Sequence, residues 1–417
     1  MSLWTVHGDG RSLADGEVVR SDERLSWPMT FGLGGQHLLA MFGATVLVPA
    51  LTGFPISATL LFSGVGTVLF IALTRNRVPA YLGSSFAFVA PLAAAKSQGV
   101  PAELGGVLFA GVLLLVFGVA VKALGIRLVD SVMPPIVTGA VIVLITLNQA
   151  PTAAGAADQQ VLLAALTVVV AALCAILSKG VLARLSVLIG VVVGWLVAAA
   201  TGRLNPGALT ALDNASWFGL PTFQHPELRS SVMVLMLPAV FVLIAQNVAH
   251  MKAIGAVTGR SLDGHTGDVL IATGLATALA GVGGGSASST YAENIGVMAA
   301  SRVYSTAAYL VAAVGAIALS LCPKVSALVS TIPPGVTGGA TLMLYGLVAM
   351  IGVRIWLDNK VDFTDPLNLL VTGTAVAVGV GNVSFSIGPM QVGGIVWGSV
   401  VIVIGYPVLR KLRALRG

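Results

Sequence analysis

The strongest constraint on the fold is the length of the uncharged, apolar stretches in this chain. Residues 25–74 and 366–409 contain no Asp, Glu, Lys or Arg, and only 9% of the 417 residues are charged. A soluble domain is roughly one-quarter charged, whereas a helix crosses the membrane with about 20 apolar residues. The stretches are continuous, unlike the short alternating segments of a membrane β-barrel. The sequence therefore predicts an all-α integral membrane protein.

Dividing the chain at its charges and turn sequences predicts fourteen spans. Residues 25–74 hold spans 1 and 2, the region 269–301 holds spans 9 and 10, and 366–409 holds spans 13 and 14, which divide near 379–382. The single spans are predicted at 78–95, 104–121, 131–157, 159–178, 185–202, 230–251, 303–323 and 325–353.

The distribution of basic residues supports two spans, rather than one, in the region 269–301. With fourteen spans and a cytoplasmic N-terminus, only four of the 22 Lys and Arg residues lie outside, namely Lys96, Arg203, Arg229 and Lys324. With a single span in this region, the two sides of the membrane would carry nearly equal numbers of Lys and Arg residues. Because basic residues concentrate in cytoplasmic loops, we expect fourteen spans in the cell (inner or plasma) membrane with both termini cytoplasmic. The net charge of +6 then reflects topology and not nucleic-acid binding.

Two segments about half a chain apart resemble each other. Residues 133–139 read Met-Pro-Pro-Ile-Val-Thr-Gly, and residues 332–338 read Ile-Pro-Pro-Gly-Val-Thr-Gly. They belong to spans 5 and 12, and an odd separation of seven spans means that the copies cross the membrane in opposite directions. We therefore predict a 7+7 inverted repeat, which is a common design of secondary transporters.

Spans 3 and 10, also seven apart, are both interrupted by small polar residues. Span 3 contains Gly83-Ser84-Ser85-Phe86, and span 10 contains the run of Gly, Ser, Ala and Thr at 285–290. These residues are poor helix formers, and paired interrupted spans indicate a substrate site. Such stretches can run extended, and we expect non-helical backbone near 83–87 and 286–291, with the two segments adjacent at mid-membrane.

Few ionisable side chains fall within the predicted spans, and such residues are usually functional. Glu293 follows the polar run of span 10, where it could also stabilise a helix N-terminus. His250 lies four residues after Gln246 in span 8, so both share a helix face, although His250 is also near the cytoplasmic interface. His37 lies in span 1 beside Gln36, and the alternative to function is a packing hydrogen bond between helices.

Several functional classes are not indicated by any motif in the sequence. We find no metal-ligand cluster, Walker A motif or Ser/His/Asp set, and no soluble stretch long enough for an ATPase domain. We therefore expect no cofactor, no bound metal and no enzymatic activity. Secondary transport or a channel remains, and the Arg spacing of a voltage sensor is absent.

One stretch resembles the signature of the nucleobase–ascorbate transporters, also called nucleobase:cation symporter 2. The signature reads Gln, Glu or Pro, then Asn-x-Gly, four residues, Thr, and Arg, Lys or Gly; residues 293–302 match it with Ser301 in place of Thr. The segments 36–49 and 81–88 are similar to the bacterial uracil permease branch. The resemblance covers nearly the whole chain after the polar N-terminus.

The resemblance implies a core domain and a gate domain that move against each other, commonly in homodimers, with short antiparallel strands in spans 3 and 10. The implied division is a cytoplasmic segment (1–27), core spans 1–4 (28–125), gate spans 5–7 (126–202), an external loop (203–229), core spans 8–11 (230–323), gate spans 12–14 (324–410) and a cytoplasmic tail (411–417).

The resemblance also implies where the substrate binds. Glu293 should accept hydrogen bonds from ring N–H groups of a nucleobase, and the backbone of Phe86, Tyr291 and Ala292 should meet its edges. Ala292 stands where we expect Gly in uracil permeases. The implied site further includes Gln246 and Ser85, with His37 and Ser289 as supporting residues.

Gln246 is the main departure from the family pattern. Uracil permeases usually carry Glu at this position, with a His four residues later, and here only His250 is retained. An amide can offer a donor and an acceptor to a base, but it cannot titrate. Proton coupling would then depend on His250 and Glu293, or be absent.

We therefore expect a proton-coupled carrier of uracil in the lipid bilayer. The alternatives are a xanthine or other purine carrier, an uncoupled facilitator, an anion transporter on the same fold, and a receptor-like protein that does not transport.

Overall fold

The structure is a computed structural model that describes residues 3–11, 13, 17–148, 150–179, 181–204, 206–381, 383, 385–387 and 390–415. Across the described ranges the α-helices are, in chain order, α1 (Trp27–Thr52), α2 (Ile56–Leu73), α3 (Val89–Ala95), α4 (Val100–Leu124), α5 (Arg127–Val132), α6 (Pro135–Asn148), α7 (Ala150–Asp158), α8 (Val161–Leu177), α9 (Val181–Arg184), α10 (Ser186–Ala200), α11 (Pro206–Asn214), α12 (Ser230–Thr258), α13 (Thr266–Gly283), α14 (Ala292–Ser301), α15 (Thr306–Ser320), α16 (Pro323–Ser330), α17 (Pro334–Asp358), α18 (Pro366–Val380), α19 (Gly394–Val400) and α20 (Tyr406–Ala414).

Short strands and tighter or wider helical turns occur between these helices. The strands are β1 (Thr5–Val6), β2 (Glu23–Arg24), β3 (Leu82–Ser84), β4 (Ser288–Thr290), β5 (Phe385–Ile387) and β6 (Met390–Val392), which form the parallel pair β1–β2 and the antiparallel pairs β3–β4 and β5–β6. Single 3₁₀ turns lie at Phe86–Phe88, Lys96–Gln98 and Asp263–His265, and a π-helical turn joins α19 to α20 at Val401–Gly405.

The helices confirm a multi-pass membrane protein. Eight helical segments in the described ranges are long and apolar enough to cross a membrane, and α8, α10 and α18 are shorter apolar helices. Spans 3 and 10 are each built from a strand and a short helix. The count of fourteen spans, the inverted repeat and the sidedness of the termini stay predictions.

The predicted start of span 12 at residue 325 is wrong. Residues 325–330 belong to the separate helix α16, which is bent by 80° from α15, and the long helix α17 begins only at Pro334. Proline cannot donate the backbone hydrogen bond of a helix interior, so it begins helices more readily than it continues them. Pro323 opens α16, and Pro333-Pro334 separates α16 from α17.

Spans 13 and 14 divide where the sequence predicted, because α18 ends at Val380. Asn382, the last residue of the predicted break, lies outside the described residues. The hairpin β5–β6 that follows was not predicted.

The helices pack in two groups. In one group, α13 lies against α4 and α2, while α15 packs on α1 and α2 and α12 packs on α4. In the other, α17 packs on α6, α7 and α8, while α10 packs on α8 and α18 packs on α6 and α19. The groups meet where α12 contacts α6 and α19, and where α1 contacts α10.

Small residues permit the closest of these contacts. A Cβ added to Gly274 of α13 would lie 2.8 Å from the carbonyl oxygen of Gly111 in α4, so the two backbones touch directly. Close backbone approach at small residues is typical of membrane helix pairs. It explains why a glycine-rich sequence forms this tightly packed group.

Candidate functional site

The two interrupted spans meet as a pair of strands. Strands β3 and β4 are antiparallel, with Leu82 opposite Thr290, Gly83 opposite Ser289 and Ser84 opposite Ser288. The pairing extends at both ends, since the Ser85 N–H donates to the Ala287 carbonyl at 2.8 Å and the Tyr291 N–H donates to the Tyr81 carbonyl at 3.1 Å. This confirms adjacent, non-helical backbone at 83–85 and 286–291, whereas residues 86 and 87 at the end of the first predicted range belong to the 3₁₀ turn Phe86–Phe88.

Each strand is held by a threonine of the preceding helix in the same way. Thr67 Oγ1 accepts the Leu82 N–H at 2.9 Å and also lies 3.3 Å from the Leu82 carbonyl oxygen. Thr277 Oγ1 accepts the Ser288 N–H at 3.1 Å and lies 3.3 Å from the Ser288 carbonyl oxygen. A two-fold axis through the antiparallel pair relates Leu82 to Ser288, so the two contacts have the equivalence that an inverted repeat predicts.

Gly83 is required where a tyrosine ring crosses the strand pair. The Tyr291 hydroxyl donates to the Ser84 carbonyl at 2.8 Å and accepts from Thr45 Oγ1 at 3.2 Å. A Cβ at Gly83 would lie 2.5 Å from Tyr291 Cε2 and 2.7 Å from Thr45 Oγ1. Tyr291 is therefore a structural brace: its ring is buried, and its N–H is already bonded to Tyr81.

A cavity of about 140 Å³ lies beside the strand pair. It is bounded by α1, by α10 and by residues just before and within α17. Phe86 and Glu293, which follow strands β3 and β4 in the two interrupted spans, both line it. Glu293 is the one charged residue among the described residues that line it, and the other walls are largely apolar: Ala40, Phe42, Gly43, Ala44, Val46, Leu47, Leu185, Val187, Leu188, Val191, Val192, Trp195, Val329, Ile332 and Leu344.

Glu293 is placed in this cavity by the start of α14. Strand β4 ends at Thr290, Tyr291 stays extended, and the helix begins at Ala292, so Glu293 falls in the first helical turn. The first N–H groups of a helix lack helical carbonyl partners, so a carboxylate in the first turn of α14 is favourably placed near its N-terminus. Within the described part of the chain, no cation pairs with Glu293. Its carboxylate is thus partly buried and able to accept further donors.

Gln246 and Ser85 lie next to each other, away from the walls of this cavity. The Ser85 hydroxyl donates to Gln246 Oε1 at 3.5 Å, and Ser85 Oγ accepts the Ala87 N–H at 3.3 Å. Ser85 is buried, while Gln246 is half-buried. The contact joins span 8 to span 3 and leaves the Gln246 amide nitrogen without a hydrogen-bond partner in the described ranges.

His250 is bonded to span 10 rather than to Gln246. Its Nδ1 lies 2.9 Å from Thr290 Oγ1, and the same hydroxyl donates to Asn247 Oδ1 at 3.1 Å. The amide of Asn247 is oriented by its Nδ2, which donates to the Leu243 carbonyl at 2.8 Å. Because the single Thr290 proton goes to Asn247, Nδ1 of His250 must carry a proton and donate. His250 Nε2 is then the nitrogen that can accept a proton.

His37 joins α1 to α14 and does not line the cavity. Asn294 Nδ2 donates to His37 Nδ1 at 3.1 Å and to the His37 carbonyl at 3.0 Å. The His37 ring also lies 4.2 Å from the Tyr309 ring, centroid to centroid. The side chain is buried, so this arrangement supports the packing interpretation of His37.

The predicted site residues therefore lie in several different places in the structure. Glu293 and Phe86 line one cavity, whereas Ser85 and Gln246 contact each other nearby, and Ser289 and Tyr291 belong to the strand pair. The sequence analysis missed Thr290, Asn247, Thr67 and Thr277; the Ser/Thr-rich composition of span 10 was the one signal for Thr290. In the described ranges, no group of three His, Cys, Asp or Glu residues could hold a metal.

Comparison with known proteins identifies the family. The model of the permease family matches residues 29–387. This chain belongs to the permease family. The match confirms the resemblance to nucleobase–ascorbate transporters, and a member of the permease family is a membrane transporter and not an enzyme.

Curated relatives in this permease family match over most of their length. A putative pyrimidine permease of Escherichia coli K12 is 41% identical over 392 residues, covering 91% of this chain and 89% of that protein. The uracil permease of the same organism is 36% identical, and the match covers 95% of this chain and 94% of that protein. The uracil permease of Bacillus caldolyticus is 38% identical, covering 88% and 89%.

Solved structures confirm the fold of this permease but not its substrate. The transmembrane domain of a cyanobacterium bicarbonate transporter is 16% identical with a TM-score of 0.57, covering 90% of this chain and 98% of that one. A murine Solute Carrier 26 anion transporter is 12% identical with a TM-score of 0.63, and the match covers 93% of this chain and 69% of that one. The permease thus shares its transmembrane fold with anion transporters.

Proposed function

We propose that this permease carries a nucleobase, with uracil as its substrate. The observation that carries the proposal is the Glu293 carboxylate in a cavity of about 140 Å³ that Phe86 also lines. Relatives named uracil and pyrimidine permeases support the same substrate class. Uracil has ring N–H donors for the carboxylate and a flat face for the aromatic ring.

The size of the cavity favours a pyrimidine over a purine. A protein cavity of about 150 Å³ accepts a single six-membered ring such as benzene. A purine adds a fused second ring, which this cavity holds only if its walls move. Xanthine and other purines are therefore proposed as poorer substrates.

The charge of the site argues against an anion as substrate, despite the shared fold. An anion bound at the start of α14 would gain from the helix dipole, but it would also approach the Glu293 carboxylate, which no cation neutralises among the described residues. At close range two like charges repel strongly in a poorly hydrated cavity. A neutral ligand with N–H donors avoids this cost.

Proton coupling is proposed to run through His250 and Glu293. Gln246 cannot exchange a proton, so binding itself should depend little on pH while Glu293 is ionised. His250 Nε2 is able to take up a proton, and its Nδ1–H donates to Thr290 on the strand that precedes Glu293. Protonation of His250 therefore acts on the same strand that positions the carboxylate.

We further propose that transport uses movement between the two helix groups of the fold. Spans 1–4 and 8–11 would form the core domain, and spans 5–7 and 12–14 the gate domain, in a homodimer with cytoplasmic termini. The cavity supports this division because it is lined by α1 of the first group and by α10 and α17 of the second, and Glu293 enters it from α14, which packs on α1.

The test is uptake of tritiated uracil into proteoliposomes, with unlabelled nucleobases as competitors and with a protonophore. We expect uracil to compete fully, purines weakly and bicarbonate not at all, and we expect the protonophore to abolish accumulation. Full competition by xanthine would overturn the pyrimidine assignment. Uptake that ignores the protonophore would identify a facilitator, and binding without uptake would identify a receptor.

A further inference from the structure

A second cavity, of about 440 Å³, lies next to the Glu293 cavity. We call it the outer chamber; its lining includes Pro49, Gly53, Lys96, Thr152, Ser330, Thr341 and Tyr345. Of the described residues, two line both cavities, namely Val329 and Ile332. The two cavities are therefore separated at a short segment, residues 329–332, formed by the end of α16 and the first residues after it.

The outer chamber reaches the protein surface on the side opposite the predicted cytoplasmic face. Gly53, Lys96 and Ser330 at its rim are exposed, and the topology predicted from loop charge places Lys96 outside. Deeper in the chamber, the Tyr345 side chain is only 7% exposed, and its hydroxyl has no hydrogen-bond partner in the described ranges. The chamber thus offers polar groups along a path from the surface.

The barrier between the cavities is thin and apolar. Val329 is buried against the cluster that contains Met41 and Val46 of α1. Ile332 packs against the same cluster and also against the cluster that contains Leu47 and Val336. Apolar contact across this segment excludes water, so the two cavities communicate only when the segment separates from α1.

A hydrogen bond from α10 holds the segment in place. Trp195 Nε1–H donates to Thr331 Oγ1 at 2.9 Å, and Thr331 Oγ1 donates to the Leu328 carbonyl at 2.7 Å. Thr331 is buried and lies between Val329 and Ile332 in the chain. Helix α16 ends at Ser330 and is bent by 80° from α15, and α17 starts only at Pro334, so no continuous helix runs through the segment. The side-chain bond to Trp195 is therefore a specific anchor.

We propose that Val329 and Ile332 close the route from the outer chamber into the Glu293 cavity, and that the Trp195–Thr331 hydrogen bond keeps this route closed. This inference depends on the proposed function in one respect, namely that substrate passes through the Glu293 cavity. Val329 and Ile332 are the barrier, and Thr331 is a positioning residue that acts through them.

The route is tested by chemical access, which does not require a substrate. Cys174 and Cys322 are free thiols and are first replaced by Ala. Ala44, which lines the Glu293 cavity, is then changed to Cys in the full-length protein. A membrane-impermeant maleimide is applied from the outer side, and the rate of labelling is measured by mass spectrometry.

Thr331→Val removes the acceptor for Trp195 with little change of shape. A neutral hydrogen bond contributes about 0.5–1.5 kcal/mol net, so its loss should raise the open fraction and the labelling rate roughly 2- to 12-fold. Thr331→Ser keeps the hydroxyl and should label at the parent rate. Val329→Ala thins the barrier directly and should also accelerate labelling.

Thr201→Val is the matched control. Thr201 directly follows α10, and its hydroxyl donates to the Val197 carbonyl of that helix at 2.8 Å, apart from the barrier. This variant should label at the parent rate. Parent-rate labelling of both Thr331→Val and Val329→Ala would overturn the proposal, as would equal acceleration by Thr331→Ser. Accelerated labelling of the variants, together with no uracil uptake by the unsubstituted protein, would uphold the barrier and refute the proposed function instead.

Discussion

Replacing Glu293 by Gln tests the proposed site most directly. The side chain keeps its length and one carbonyl acceptor, but it loses the negative charge that faces an otherwise uncharged cavity. A hydrogen bond to a charged group contributes about 1.5–3 kcal/mol. We therefore expect uracil affinity to fall about 10- to 150-fold, since each 1.4 kcal/mol is tenfold.

The assay must separate binding from stability, because Glu293 also lies in the first turn of α14. A carboxylate at a helix N-terminus contributes about 0.3–1 kcal/mol by itself. Uracil binding is measured by isothermal titration calorimetry on purified protein, and melting is measured without substrate. We expect a large loss of affinity with a small fall in melting temperature.

Glu103→Gln is the matched control. Glu103 is a buried carboxyl group in the first turn of α4 and does not line the Glu293 cavity. It should leave the uracil dissociation constant unchanged. If Glu293→Gln binds uracil within twofold of the parent and only melts earlier, then Glu293 is a helix-terminal charge and the site assignment fails.

Three other substitutions test the surroundings of the site. Gly83→Ala would force a Cβ against the Tyr291 ring and should lower the melting temperature or abolish folding, whereas Gly373→Ala, where a Cβ meets nothing within 4 Å, should not; equal melting of the two variants would contradict the packing argument. His250→Ala should leave uracil binding largely intact and remove the dependence of proteoliposome uptake on an imposed proton gradient; continued accumulation would route the proton through Glu293 alone. Gln246→Glu should strengthen that dependence, and an unchanged gradient response would show that span 8 takes no part in coupling.

Membrane insertion, the order of the spans and the two interrupted spans could be predicted from the sequence alone. These features depend on hydropathy and on local propensity, which are carried by neighbouring residues. The small polar residues at 83–85 and 285–290 are poor helix formers, so their non-helical backbone followed directly. Glu293 could also be predicted as a site residue from the sequence, because a carboxylate within an apolar span is rare.

Elements with weaker local signals were missed. The hairpin β5–β6 lies in a stretch that reads as one apolar run, although Gly388-Pro389 between the strands is a pair typical of turns. The break between α16 and α17 was missed for a similar reason, since Pro333-Pro334 is compatible with either a kinked span or a new helix.

Tertiary structure alone decided which polar groups meet. The sequence placed Gln246 and His250 on one helix face, but the fold bonds Gln246 to Ser85 and His250 to Thr290. The fold also places the Tyr291 ring against Gly83 in the strand pair, away from the cavity. Hydrogen bonds of this kind join residues 40 to more than 200 positions apart. Their partners depend on how helices pack, and no local pattern of residues records that packing.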